Sequence, residues 1–206
     1  MRLLLLACIV GLSLACALPG DASDRATTTT RQHVTPARTI IDSILPPAEE
    51  MRRFRANGGP VRTRLTGGAS SRDALARAFV QALATRDTAM IRSLVIDHIE
   101  FADLYYPASR YARPPFRTPV GLIWTQIQLN SEKGITRAMD RLGGQPVRFV
   151  GVTCLSRPDS VGAAQIDSRC TTRYVATEGD TVSRRLFGAI VQLGGRAKFL
   201  SYSNDM

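Results

Sequence analysis

The stretch PVRFVGVTCLSRPDSVGAAQIDSRCTTRYVAT, residues 146–177, decides how this chain folds. Its two ends, 146–156 and 167–177, alternate or run apolar in the manner of strands. Between them Arg157-Pro-Asp-Ser-Val-Gly162 is full of turn residues. A hairpin centred on Gly162 sets Cys154 opposite Cys170, each eight positions from the centre. In an oxidising compartment such a pair reads as a structural disulfide, and closing a loop of this length contributes roughly 3 kcal/mol in the chain-entropy model. A metal or redox site is the competing reading. A metal would want more soft ligands nearby, and the only histidines are His33 and His98.

Strand character continues downstream. After the turn Glu178-Gly-Asp-Thr181 a third strand covers about 183–193. Gly194-Gly195 is a two-residue hairpin turn into a fourth, 196–203. The expectation is a four-stranded antiparallel meander. Upstream the period is helical. Residues 37–57 place Ile40, Ile41, Ile44, Leu45, Ala48 and Met51 at helical spacing, with a break or first-turn start at Pro46-Pro47 and a stop at Gly58-Gly59. Ser70 or Ser71 caps the clearest helix, whose stripe is Leu75, Ala78, Phe79, Ala82 and Leu83. Asp87 restarts a short helix bearing Met90, Ile91, Leu94 and Val95. Residues 97–106 fit strand and helix equally. Residues 107–119 form a loop with four prolines. One helix then starts at Pro119 with Leu122, Ile123, Trp124 and Ile127, and another at Ser131 with Ile135, Ala138, Met139 and Leu142, ending at Gly143-Gly144. The predicted class is α+β: N-terminal helices packed on a curved antiparallel sheet of four strands or more.

The first 17 residues read as an export signal: Met1-Arg2 is the positive start and residues 3–14 form an apolar run. That run is shorter than the roughly 20 residues a membrane-spanning helix needs. Ala15-Cys16-Ala17 fits signal peptidase, while Leu12-Ser13-Leu14-Ala15-Cys16 resembles a bacterial lipobox. Ser13 and Leu14 depart from the usual lipobox residues; with Cys16 lipidated, the protein is a membrane-anchored envelope lipoprotein. Residues 18–36, with four successive threonines and almost nothing apolar, suit a disordered tether, leaving one domain over 37–206. Export removes Cys8 with the signal and puts Cys154 and Cys170 where disulfides persist.

The net charge of +10 comes from a composition in which 25 of 27 basic residues are Arg, a bias that GC-rich coding explains in large part. Export makes nucleic acid an unexpected partner; anionic lipid or glycan is the more available one. Arg52, Arg53, Arg55, Arg62 and Arg64 form a basic cluster beyond the tether, readable as a lipid-facing surface or a solvated helix face.

The stretch from Phe79 to Leu94, FVQALATRDTAMIRSL, resembles the opening of the nuclear-transport-factor-2-like superfamily, which includes ketosteroid-isomerase-like and polyketide-cyclase-like proteins. The resemblance covers about residues 70–203 and rests on the order of elements. It implies a cone-like sheet whose mouth accepts a small apolar ligand, a partner segment or nothing. In the superfamily's enzymes an acid or His projects into the cone opposite a Tyr or Asp donor. The groups available here are Asp97, His98, Asp103, Tyr105 and Tyr106, with Asp103 or His98 the candidate catalytic residue; none matches a family catalytic position. Equally, Asp97 and His98 end a surface helix, with Asp103 on a solvated face. Separately, Arg110, Tyr111, Arg113 and Phe116 combine oxyanion-binding forks with stacking rings, so they are candidates for holding an anionic or glycan ligand, or for closing the core as a rigid loop. No Ser-His-Asp spacing, phosphate-binding Gly loop or HExxH is present, and no cofactor is indicated. The first functional reading is an exported binding protein. The alternatives are acid/base catalysis on a small apolar substrate and Arg-mediated adhesion.

Overall fold

The computed structural model describes residues 45–154, 157–176 and 179–206. The expected signal at 1–17, lipidation at Cys16, tether at 18–36 and isoleucines Ile40, Ile41 and Ile44 lie outside these residues.

The described chain is α+β, with five helices preceding two antiparallel sheets. Helix α1 (Pro47–Phe54) opens at the second of two prolines, whose fixed φ suits a first turn. It stops at Phe54, short of the expected Gly58. Helix α2 (Arg72–Thr85) is capped by Ser71, whose hydroxyl accepts the Ala74 N–H at 3.1 Å. Helix α3 (Thr88–Ser93) is capped likewise by Asp87, at 2.8 Å from the Met90 N–H. The ambiguous 97–106 segment is helical throughout: a single turn α4 (His98–Glu100), a π turn over Phe101–Tyr105, then 3-10 turns at Tyr106–Ala108 and Arg110–Ala112.

Two helices were expected between Pro119 and Leu142, but one continuous helix, α5 (Val120–Leu142), is found. Gly134 does not break it. A Cβ there would lie 1.8 Å from the Tyr202 carbonyl oxygen, so Gly134 lets the chain after the last strand cross the helix closely. Ser131, read as a helix start, accepts the Tyr202 N–H at 3.0 Å, and the Asn204 amide donates to the Gly134 carbonyl at 2.8 Å.

The meander has the expected order, but three of its four long strands break at a crease. The first is β1 (Arg148–Thr153) and β2 (Asp159–Val161); the second is β3 (Ala164–Asp167) and β4 (Thr171–Val175). The third is β5 (Thr181–Arg184) and β6 (Ile190–Leu193), and β7 (Arg196–Phe199) is the fourth. One sheet runs β1-β4-β5 and the other β2-β3-β6-β7. The segment 157–162, expected only to turn, therefore contributes a strand, and the reversal falls after Val161, which pairs with Ala164. Thr153 pairs with Thr171, and one step beyond this rung Cys154 and Cys170 are joined as a disulfide.

Alternation in the second sheet feeds two hydrophobic layers. Ile190 and Phe199 face a core built with Leu75, Phe79, Leu83, Phe187 and Tyr202. Phe79 stacks on Tyr202 with ring centroids 4.8 Å apart. Val191 and Ile166 face the opposite way, against Phe101, Val120 and Ile123. Among the described residues no helix is long and apolar enough to cross a membrane.

Reducing the disulfide releases the loop it closes, across a sequence separation of 16. Unfolding free energy should fall by about 3 kcal/mol. Urea unfolding with and without a thiol reductant reads this as a lower midpoint; coincident curves would contradict it.

Candidate functional site

The acidic residues nominated for proton transfer sit in a locked cluster. Asp97 Oδ1 accepts the N–H groups of Ile99 and Glu100 at 2.9 and 2.8 Å, while Glu100 Oε2 accepts the Asp97 N–H at 3.1 Å. This reciprocal capping starts α4. Glu100 is buried and pairs with Lys198 of β7 at 2.7 Å, itself only 5% exposed at the side chain. Thr66 completes the clasp: its N–H and hydroxyl donate to Glu100 Oε1 at 2.7 and 2.8 Å, and its carbonyl accepts from Lys198 Nζ at 3.1 Å. Burial of Asp97 raises its pKa, but the Glu100 N–H and the Arg62 guanidinium at 2.5 Å outweigh that and leave it below the usual carboxylate range.

Asp103 is fully used in a similar way. It accepts the Arg62 N–H at 2.8 Å and the Arg55 Nη2–H at 3.2 Å, and Arg55 Nε lies 2.6 Å away as an ion pair without hydrogen-bond alignment. Its side chain is 3% exposed. His98 is exposed, edge-on to Phe54 at 6.1 Å. Asp103 and His98 thus belong to different environments. The expected basic cluster is also largely engaged: Arg55 and Arg62 pair inward, and Arg52 and Arg53 share Glu49 at 2.7 Å.

A different set of residues forms a concave site. A cavity of about 630 Å³ lies between the 105–111 turns and the outer end of β2-β3. Val161, Ile166, Ala108 and Ala189 supply apolar walls; Tyr105, Tyr111, Arg110 and Arg169 supply rings and positive charge, with Asp159 the single acid. The loop that presents Arg110 is fastened at both ends. Tyr106 Oη donates to the Thr118 carbonyl at 2.6 Å, the Thr118 N–H donates to the Tyr111 carbonyl at 2.8 Å, and Ser109 Oγ donates to the Tyr106 carbonyl at 2.8 Å. On the sheet side Gly162 turns with φ +61°, and a Cβ there would come within 3.0 Å of Ala108. Turn and loop therefore meet closely because no side chain intervenes.

Arg110 is pre-positioned. Its Cζ stands 5.1 Å from the Tyr111 ring centre and 5.6 Å from that of Phe116, and one N–H donates to the Tyr111 hydroxyl at 3.2 Å. Among the described residues neither Arg110 nor Arg169 forms an ion pair. Burial pushes the Tyr105 hydroxyl above its usual pKa, with Tyr111 adding to this and Arg110 opposing it, so Tyr105 is a neutral hydroxyl at physiological pH. Of the four loop residues nominated from sequence, Arg110 and Tyr111 line the cavity, Phe116 backs Arg110 while 57% exposed, and Arg113 is exposed and does not line it.

Sequence reasoning missed Glu100 and Lys198, although Asp97-x-x-Glu100 has capping-box spacing. It also missed Asp159 and Ser160, whose segment 157–162 reads as a turn, and Ser168 and Arg169, which sit at the break between β3 and β4 inside a stretch that reads as continuous strand. Replacing Lys198 by Met removes the ammonium that donates to buried Glu100 and leaves only the Arg62 guanidinium, 3.8 Å away, so stability should drop by about 3 kcal/mol. Thermal or urea unfolding measures this; a loss under about 1 kcal/mol, the scale of a surface pair, would refute the clasp. Comparison of the chain with family models, with curated proteins and with solved structures finds no match.

Proposed function

We propose that the chain is an exported envelope protein, lipid-anchored at Cys16, whose domain binds a small anionic saccharide, such as a uronic acid or a sugar phosphate. The observation that carries this reading is the convergence of Arg110 and Arg169, neither ion-paired among the described residues, with Tyr105 and Tyr111 around one 630 Å³ cavity. Guanidinium forks suit carboxylate and phosphate oxygens, and tyrosine rings suit the flat apolar face of a sugar. The hydroxyls of Tyr105, Ser160 and Ser168 offer hydrogen bonds to a polyol. Asp159 faces the same space and suits a sugar hydroxyl rather than the anion.

The order of elements, with helices first and a bent meander last, supports placing the domain with the nuclear-transport-factor-2-like superfamily. Binding is preferred to acid/base catalysis because Asp103 already accepts from Arg55 and Arg62, and His98 stands outside the cavity.

Isothermal titration with D-glucuronate, against methyl glucoside as neutral control, tests the reading. Glucuronate should bind saturably, more weakly as salt rises. Arg110→Gln should weaken it by about tenfold or more, the scale of one charged hydrogen bond. Equal binding of the two sugars, or an Arg110→Gln variant with unchanged affinity, would count against it.

A further inference from the structure

We infer that the Cys154–Cys170 disulfide is a positioning device for this cavity, holding Arg169 where its guanidinium meets an oxyanion. The inference rests on the reading of the cavity as an anion seat. Ser168 and Arg169 both line the cavity, and both fall between β3 and β4, strands that belong to different sheets. No ladder therefore runs through them. Their position is set by what fixes each side.

On the upstream side Asp167 is clamped, accepting from Gln192 Nε2 at 2.6 Å and from Arg72 Nη1 at 3.2 Å. On the downstream side Cys170 is fully buried and bonded to Cys154, with Cα atoms 3.9 Å apart. Arg169, between the two, has φ +49°, in the left-handed region that residues with a Cβ seldom occupy. A side chain held in such a backbone persists when its surroundings over-determine it, and such positions gather at ligand sites. Without the disulfide the Thr153–Thr171 rung still holds β4, but residues 168–170, which no ladder includes, regain access to the ordinary right-handed and extended conformations. Arg169 then leaves the wall of the cavity, while Arg110, fixed from the other side by its own loop, stays.

The consequence is selective for charge. Losing the disulfide weakens anions and spares a neutral sugar of the same size, a pattern that loss of stability alone does not produce. The test uses Cys154→Ala/Cys170→Ala beside the wild-type chain reduced with dithiothreitol. In the reduction the S–S bond takes up two electrons and two protons from the dithiol, which closes to its cyclic disulfide. Either form should bind D-glucuronate about tenfold more weakly than the oxidised protein, with methyl glucoside unchanged. Arg169→Gln in the oxidised protein should cause the same loss, and combining it with the cysteine substitutions should add nothing. Amide hydrogen exchange provides a readout that needs no ligand: residues 168–170 should exchange faster without the disulfide, while 171–175 stay protected.

Unchanged glucuronate affinity, equal losses for both sugars, multiplying losses, or unaltered exchange at 168–170 would each overturn the inference. If oxidised protein binds neither sugar, the reading of the cavity has failed instead, and the exchange result alone decides whether the disulfide positions Arg169.

Discussion

A meander that serves two hydrophobic layers has to bend, and here the bend is made at one crease crossed by three strands. The chain leaves the β1-β4-β5 sheet after Thr153, re-enters it at Thr171, and leaves again after Arg184. Leu186 and Phe187, both fully buried, fill the last of these crossings. Beyond the crease the second sheet has side chains on two cores, Ile190 toward Phe79 and its neighbour Val191 toward Phe101. The candidate binding cavity exists because β2-β3, carried past the crease, meets the 105–111 turns. A flat four-stranded sheet with the same residues would not bring Arg169 near Tyr105.

Buried charge is arranged with the same economy of partners. Glu100, Asp103 and Asp167 are carboxylates removed from water, and each meets a cation together with at least one further donor. Burying a carboxylate without such partners is heavily unfavourable, so these pairs reflect matching rather than surplus stability. Their effect is to fix connections. Arg55, Arg62 and Thr66 pin the 55–66 segment to α4, the π turn after it and β7, and Arg72 pins the start of α2 to β3. Arg110 and Arg169 are set apart from other arginines by lining one cavity together with Tyr105 and Tyr111, and this makes the cavity the place to look for an anion.

The helices with clear caps and the strands around Cys154 and Cys170 were legible in the sequence, because local signals determine them. Ser71 and Asp87 are short-range caps, and the symmetric spacing of two cysteines about Gly162 survives the bend, since Thr153 and Thr171 still pair. What was illegible depends on contacts distant in sequence. Gly134 looks like a helix break until the Tyr202 backbone is seen against it. The crease at 185–189 carries Leu-Phe, which reads as strand; only burial against Phe79 shows it as a corner. Asp103 and His98 are both candidate acid/base groups in the sequence, but helical turns bury one against Arg55 and leave the other exposed. Half of the candidate cavity was readable from the Arg110-Tyr111 pair; the other half comes from a short strand inside a run of turn residues and from the break between β3 and β4 in a stretch that reads as one strand.

The place where a ligand sits decides whether this cavity is the binding site. Backbone and Arg side-chain N–H resonances, followed by NMR during titration with D-glucuronate, locate it directly. Shifts concentrated at Tyr105, Arg110, Ser160, Ser168 and Arg169 are the predicted result. Shifts centred instead on Ile91, Ile135 and Met139, which line a separate cavity of about 560 Å³ between α3 and α5, would contradict it.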